Sequence, residues 1–230
     1  MDEQSDEPKR RIGRFLKSTF FGRRWVIGGV RPFKMTPLGY IAKRIIRRPD
    51  WLNVPHVESI YSVANCMSED FADYIDFWRH NGHWLFDCPS IIIGICEESS
   101  IEISGLTFLY LESELMQFDP DQKKWMAYEP DSSFTTDVTK AIDARLLGYD
   151  VTTNYYCPTP EHSPLSCNHI ASVVPVNKCC LIDNLDDARK HIESGAFANS
   201  EPGHLRVIAV HEVEIGTNQA LNASGRARGF

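Results

Sequence analysis

Cys157, Glu161, His162, Cys167 and His169 fall within thirteen residues of one another, in a stretch punctuated by Pro158, Pro160 and Pro164. Four of them form the spacing C-x4-H-x4-C-x-H, and zinc takes thiolate and imidazole donors in tetrahedral array. Cys157, His162, Cys167 and His169 are therefore the candidate metal ligands. Cys167 and His169 lie only two apart, which strains a shared site unless the backbone there is extended. The same loop offers a nucleophile: in Ser163-Pro164-Leu165-Ser166-Cys167-Asn168 a helix start near Cys167 would lower its thiol pKa. His162 or His169 could then serve as base if it met the sulfur at hydrogen-bond distance. Cys167, His169 and His162 are the candidate catalytic residues.

Other chemistry-bearing groups have simpler explanations. Cys179-Cys180 sits in an apolar run and suits packing. His80 and His83 flank an Asn81-Gly82 turn. Glu112 and Glu114, two apart on a presumed strand, share one face, where a solvated pair is the usual outcome. The chain has no G-x-x-x-x-G-K, G-x-G-x-x-G, H-E-x-x-H or G-x-S-x-G pattern.

Charge is distributed very unevenly. Lys9 to Arg48 holds thirteen of the 24 lysines and arginines and no acidic residue, which leaves eleven against all 31 carboxylates elsewhere. A basic arm on an acidic body should seek an anionic surface, either a partner's or that of its own acidic body. Arg10, Arg11, Arg14, Lys17, Arg23, Arg24, Lys43, Arg44, Arg47 and Arg48 are the candidate partner-binding residues. Phe15, Phe20, Phe21, Trp25, Phe33 and Tyr40 are interleaved with them. A protein partner is expected first, with nucleic acid or an anionic membrane surface as alternatives through the same arm.

The elements that must position these groups follow from periodicity. Ile12, Phe15, Leu16, Thr19 and Phe20 predict a basic amphipathic helix. Thr36 as N-cap, Pro37 in the first turn and a Leu38, Ile41, Ile45 stripe predict a second helix. Pro49 to Pro55 reads as a linker. In the body, helices are expected from Ser68 through Trp78, from Pro89 through Ile95, and from Asp183 to Glu193 with Gly195 behind it. Strands are expected at 59–63, 106–118, 149–156, 179–182 and 205–213, with a hairpin turning at Asp119-Pro120-Asp121. No internal repeat is evident. The expectation is an α+β fold, with a mixed or antiparallel sheet and packed helices, preceded by a basic helical arm. The divisions are an arm over 1–55, a globular domain over 56–216 and a flexible tail over 217–230. With 43% apolar residues a sizeable core can form. No apolar run approaches a membrane span, the N-terminus does not read as a secretory signal, and seven scattered cysteines suit reduced thiols in a cytoplasmic setting.

Trp84-Leu85-Phe86-Asp87-Cys88-Pro89, Phe118-Asp119 with Tyr128-Glu129-Pro130, Gly148-Tyr149-Asp150-Val151, Ser163 to Asn168 and Glu201-Pro202-Gly203 carry a resemblance from about Ile60 onward. The chain resembles there a family of bacterial proteins with no assigned activity. The resemblance implies a bacterial cytoplasmic globular protein and supplies no catalytic role. Together these features predict a non-enzymatic binding protein of the immunity, antitoxin or regulatory-subunit kind, without a cofactor. The alternative is a thiol- or zinc-dependent enzyme using the Cys157–His169 loop.

Overall fold

The computed structural model describes residues 34–64, 79–154 and 162–215. The helices expected at 12–20 and 68–78, and the tail, lie outside the described residues. The strands are β1 (Thr36–Lys43), β2 (Ile46–Arg47), β3 (Ser59–Ile60), β4 (Thr107–Ser113), β5 (Met116–Asp119), β6 (Lys124–Ala127), β7 (Ala144–Asn154) and β8 (His204–Val213). The helices are α1 (Pro89–Glu98), the short α2 (Pro164–Cys167) and α3 (Leu185–Glu193). This is an α+β fold whose strand pairs are all antiparallel.

β8 is the sheet's centre. It pairs with β7 along one side, and with β4 and then β5 along the other; β1 lies outside β4 and β6 outside β5. Alternation sorts the apolar residues. One face takes Tyr40, Phe108 and Tyr110 against Ile92, Ile93 and Ile95 of α1, and Val151, Leu205 and Val207 against Ala188 and Ile192 of α3. The other face takes Ile41, Leu109, Leu111, Ile208 and Val210, covered by Val63, Leu85 and Leu181.

The structure overturns one expectation in particular. Residues 36–48 form β1 and β2 instead of a helix. Leu38 through Lys43 are buried throughout, so both faces of the segment meet protein, and β4 supplies hydrogen-bond partners along the whole strand. Tertiary pairing overrides a good local helix start. The globular body therefore begins by Thr36, well before the boundary expected near His56. Residues 179–182 are likewise a tight loop, with only Ile182 bridged to Tyr149. The hairpin of β5 and β6 and the helices at Pro89 and Leu185 are as expected. The α3 cap is Asn184, one residue beyond the expected Asp183; its side chain accepts from Asp187 N–H at 2.9 Å, and Gly195 follows the helix at φ +81°.

The chain also contains an internal duplication, contrary to the expectation of none. Strand β1, α1 and β4 repeat as β7, α3 and β8. Gly39 and Gly148, at φ +142° and +146°, sit at matching irregularities in strand register, between Pro37 and Gly39 and between Leu146 and Gly148. A Cβ at Gly39 would lie 2.8 Å from both Leu85 Cβ and Phe86 O; at Gly148 it would lie 2.8 Å from both Leu181 Cβ and Ile182 O. Against each glycine packs one asparagine. Asn81 Nδ2 donates to Leu38 O (2.9 Å) and Asp87 Oδ1 (2.8 Å), while its Oδ1 accepts from His83 N and Leu85 N. Asn177 Nδ2 donates to Leu147 O (2.8 Å) and Asp183 Oδ1 (3.1 Å), while its Oδ1 accepts from Cys179 N and Leu181 N. Trp84 and Cys180, three residues on in each loop, take positive φ of 59° and 62°. Antiparallel pairing of the equivalent strands β4 and β8 places a pseudo-two-fold axis at the Leu111–Val210 pair.

Candidate functional site

The loop singled out by its sulfur and imidazole groups is pinned to the sheet by a buried polar bridge. Asp150 of β7 points away from the helices. Its Oδ2 accepts from Ser163 Oγ (2.6 Å) and from Val63 N–H (2.8 Å). Ser62 Oγ donates to Ser163 Oγ (2.6 Å), and Lys43 Nζ donates to Ala64 O (2.6 Å). Burial raises the Asp150 carboxyl to about 6, although Ser163, Val63 and Lys43 pull the other way. Burial lowers Lys43 to about 7 against the attraction of Asp150.

The bridge starts α2, where Pro164 fills the first turn, but α2 has only four residues. Cys167 at its end is disulfide-bonded, so its sulfur is not a thiolate. His169 follows in the left-handed region at φ 58°, its ring edge-on to Trp51 at 5.0 Å. His162 accepts at its backbone carbonyl from Thr153 N–H. Cys157 and Glu161 lie outside the described residues. Among the described residues, no three histidine, cysteine or acidic side chains are grouped as a metal would need.

The basic candidates also separate. Lys43 is 3% exposed and committed to Ala64, so it cannot meet a partner. Arg44 donates to Ser104 O and Glu102 O, and Arg48 to Leu52 O. Arg47 is exposed. Arg10, Arg11, Arg14, Lys17, Arg23 and Arg24 lie outside the described residues.

A second arrangement, built around Glu112, has no signal in the periodicity of a single strand. On the helix-bearing face, at the pseudo-two-fold axis, Glu112 and His211 occupy equivalent positions of the two repeats. Glu112 Oε2 is 3.2 Å from His211 Nε2, and Glu112 Oε1 accepts from Tyr110 OH at 3.1 Å. Both side chains are partly accessible, and the Tyr110 ring packs tilted at 46° against Tyr40, centroids 5.1 Å apart. Tyr40 donates to Thr139 O at 2.6 Å. Desolvation lowers the His211 pKa, with Glu112 opposing, and pushes the Tyr110 phenol up, with Glu112 adding to it. Glu114 is taken instead by Arg189 of α3, whose guanidinium lies over Trp125 at 5.6 Å. A partly accessible carboxylate and imidazole thus sit over two buried phenols at the centre of the sheet. Cross-strand pairing carries the signal: Tyr110 faces His211 and Glu112 faces Ala209, which single-strand periodicity does not reveal.

Among the described residues, no helix is long and apolar enough to cross a membrane. No family model, curated protein or solved structure matches the chain.

Proposed function

We propose that the protein is a non-enzymatic binding protein, of the immunity, antitoxin or regulatory-subunit kind, whose basic N-terminal segment docks an anionic partner, most readily a protein. The observation that carries this reading is the segregation of charge. With Lys43, Arg44 and Arg48 committed to backbone carbonyls, the basic candidates that carry the reading are those of Lys9–Lys34, nine basic residues with no acidic one among them in the sequence, and the exposed Arg47. An acidic body beside it suits capture of a basic cleft, and paired patches of opposite sign speed and direct association. The disulfide at Cys167 speaks against the competing reading of a thiol- or zinc-dependent enzyme in the Cys157–His169 loop. A cytoplasmic location is part of the same proposal, although the Cys167 disulfide departs from the expected all-reduced thiols.

The test compares the full chain with a 34–230 version on immobilised heparin, on single-stranded oligonucleotide and on phosphatidylglycerol vesicles, each over a salt series. The full chain is expected to bind at least one polyanion with a steep salt dependence and the truncated chain not to. Equal retention of both, with both folded by circular dichroism, would sink the role of the segment.

A further inference from the structure

The face of the sheet opposite the helices holds a second buried polar group, separate from the Asp150 bridge. Arg206 of β8 is 2% exposed, and its cross-strand neighbour Thr152 is 0% exposed. The guanidinium lies 3.5 Å from the ring centroid of Tyr128. Tyr128 in turn stacks on His83, centroids 6.2 Å apart. Tyr128 is 8% and His83 5% exposed.

In each of the four side chains a buried polar atom lacks a hydrogen bond of good geometry: Arg206 Nε and Nη2, Thr152 Oγ1, Tyr128 OH and His83 Nδ1; the Tyr128 hydroxyl lies near enough to Arg206 to favour its charged form, but it is no counter-charge. Buried polar atoms in native proteins are nearly always partnered, so four such side chains together demand an account. Nε and Nη2 form the side-on edge of the guanidinium, the fork that takes a carboxylate through two parallel hydrogen bonds. The stacked tyrosine covers a flat face of the group and leaves that edge available.

Charge points the same way. Lys43, Arg206 and Asp150 are three buried ionisable side chains on this side of the sheet. Asp150 is already held by Ser163 and Val63 and acts electrostatically on Lys43. That leaves Arg206 as a buried cation with no carboxylate of its own among the described residues. A buried water could satisfy the donors, but it would not neutralise the charge, and an unpaired buried charge is strongly destabilising.

We propose that Arg206, with Thr152 and Tyr128, forms a buried receptor for one small oxyanion of the carboxylate class. The anion takes the Nε and Nη2 hydrogens of Arg206 and the hydroxyl hydrogen of its cross-strand neighbour Thr152, with Tyr128 covering the guanidinium. This site is independent of the basic segment and of the binding reading drawn from it.

The experiment is a thermal-unfolding titration of the full chain with sodium formate, at constant ionic strength made up with sodium fluoride. The melting temperature is expected to rise saturably, as binding to the native state alone requires. Arg206→Met should abolish the saturable rise, while Lys178→Met, an exposed change outside the cluster, should retain it. Thr152→Val, which removes the hydroxyl at nearly constant shape, should move the formate midpoint roughly tenfold, the scale of one hydrogen bond to a charged group. A wild type that responds to formate no differently from fluoride overturns the proposal, as does a saturable rise that survives Arg206→Met. If Arg206→Met does not fold, an unchanged midpoint in Thr152→Val overturns it.

Discussion

Replacing Asn81 or Asn177 by alanine removes the clasp that holds each repeat's loop against its strand. Asn81 satisfies the N–H groups of His83 and Leu85 and the carbonyl of Leu38, all in buried residues, besides the carboxylate of Asp87. A buried group stripped of its partner costs about 1–3 kcal/mol. Three such groups, with the longer Leu85 contact at 3.3 Å counted lightly, give about 3–4 kcal/mol for Asn81→Ala. Asn177 makes the same four bonds but is only half-buried, so water replaces part of the loss and about 2–3 kcal/mol is expected. The aspartate variants isolate the donor side. Asp keeps the two accepted bonds but turns an oxygen toward Leu38 O and Asp87, or toward Leu147 O and Asp183. Their deficit should therefore be larger at pH 7 than near pH 4, where the new carboxyl can be protonated. Urea unfolding followed by circular dichroism, with a common slope, measures each value. An alanine cost under about 1 kcal/mol at Asn81, or an Asn81→Asp variant as stable as wild type at pH 7, would refute the clasp.

Asp150 titrates near 6 in the folded chain, above its ordinary 3.8, so between about pH 4 and 6 the native state holds a proton that the unfolded chain has released, and stability falls as pH rises through that window. Lys43, lowered to about 7 from 10.5, makes stability rise from about pH 7 toward 10. Asp150→Asn should flatten the acid slope in urea-unfolding midpoints measured against pH; an unchanged slope would assign it elsewhere. Gly148→Ala places a methyl 2.8 Å from Ile182 O at positive φ, and about 3 kcal/mol or more of destabilisation is expected in the same urea assay. Iodoacetamide on the native protein should label Cys88 before Cys96, Cys179 and Cys180, which are buried, and Cys167 only after reduction, as peptide mass spectrometry would show.

The parts of the fold legible in the sequence are those where local signal and tertiary demand agree. Pro89 opening α1, Gly195 behind α3 and the Asp119 turn all combine a backbone requirement with the residue that meets it, whereas the α3 cap is Asn184 and not the expected Asp183. Thr36 to Arg48 failed because a cap and an apolar stripe describe a helix only when one face is buried, and β1 is buried on both. The repeat leaves only a faint trace in the sequence. Leu38-Gly39-Tyr40 recurs as Leu147-Gly148-Tyr149, and Asn81 with Leu85 and Asp87 recurs as Asn177 with Leu181 and Asp183, but the two pairs are separated by different lengths of chain. The Glu112–His211 contact and the Arg206–Tyr128 stack were not legible, because register across strands distant in sequence decides both.

Pairing of β4 with β8 across the pseudo-two-fold axis has a consequence for synthesis on the ribosome. When the first repeat has emerged, β4 carries β1 on one side and an open edge on the other, with Leu109 and Leu111 exposed on it until the chain has grown past Val213. The surface that edge awaits is a near-copy of itself, since β8 is the equivalent strand. Two nascent chains can therefore satisfy each other with the geometry meant for one, and polysome crowding favours that exchange. Such strand-swapped pairs are the aggregation hazard built into this architecture. The hairpin of β5 and β6 extends that edge and does not cover it, since β5 also waits for β8.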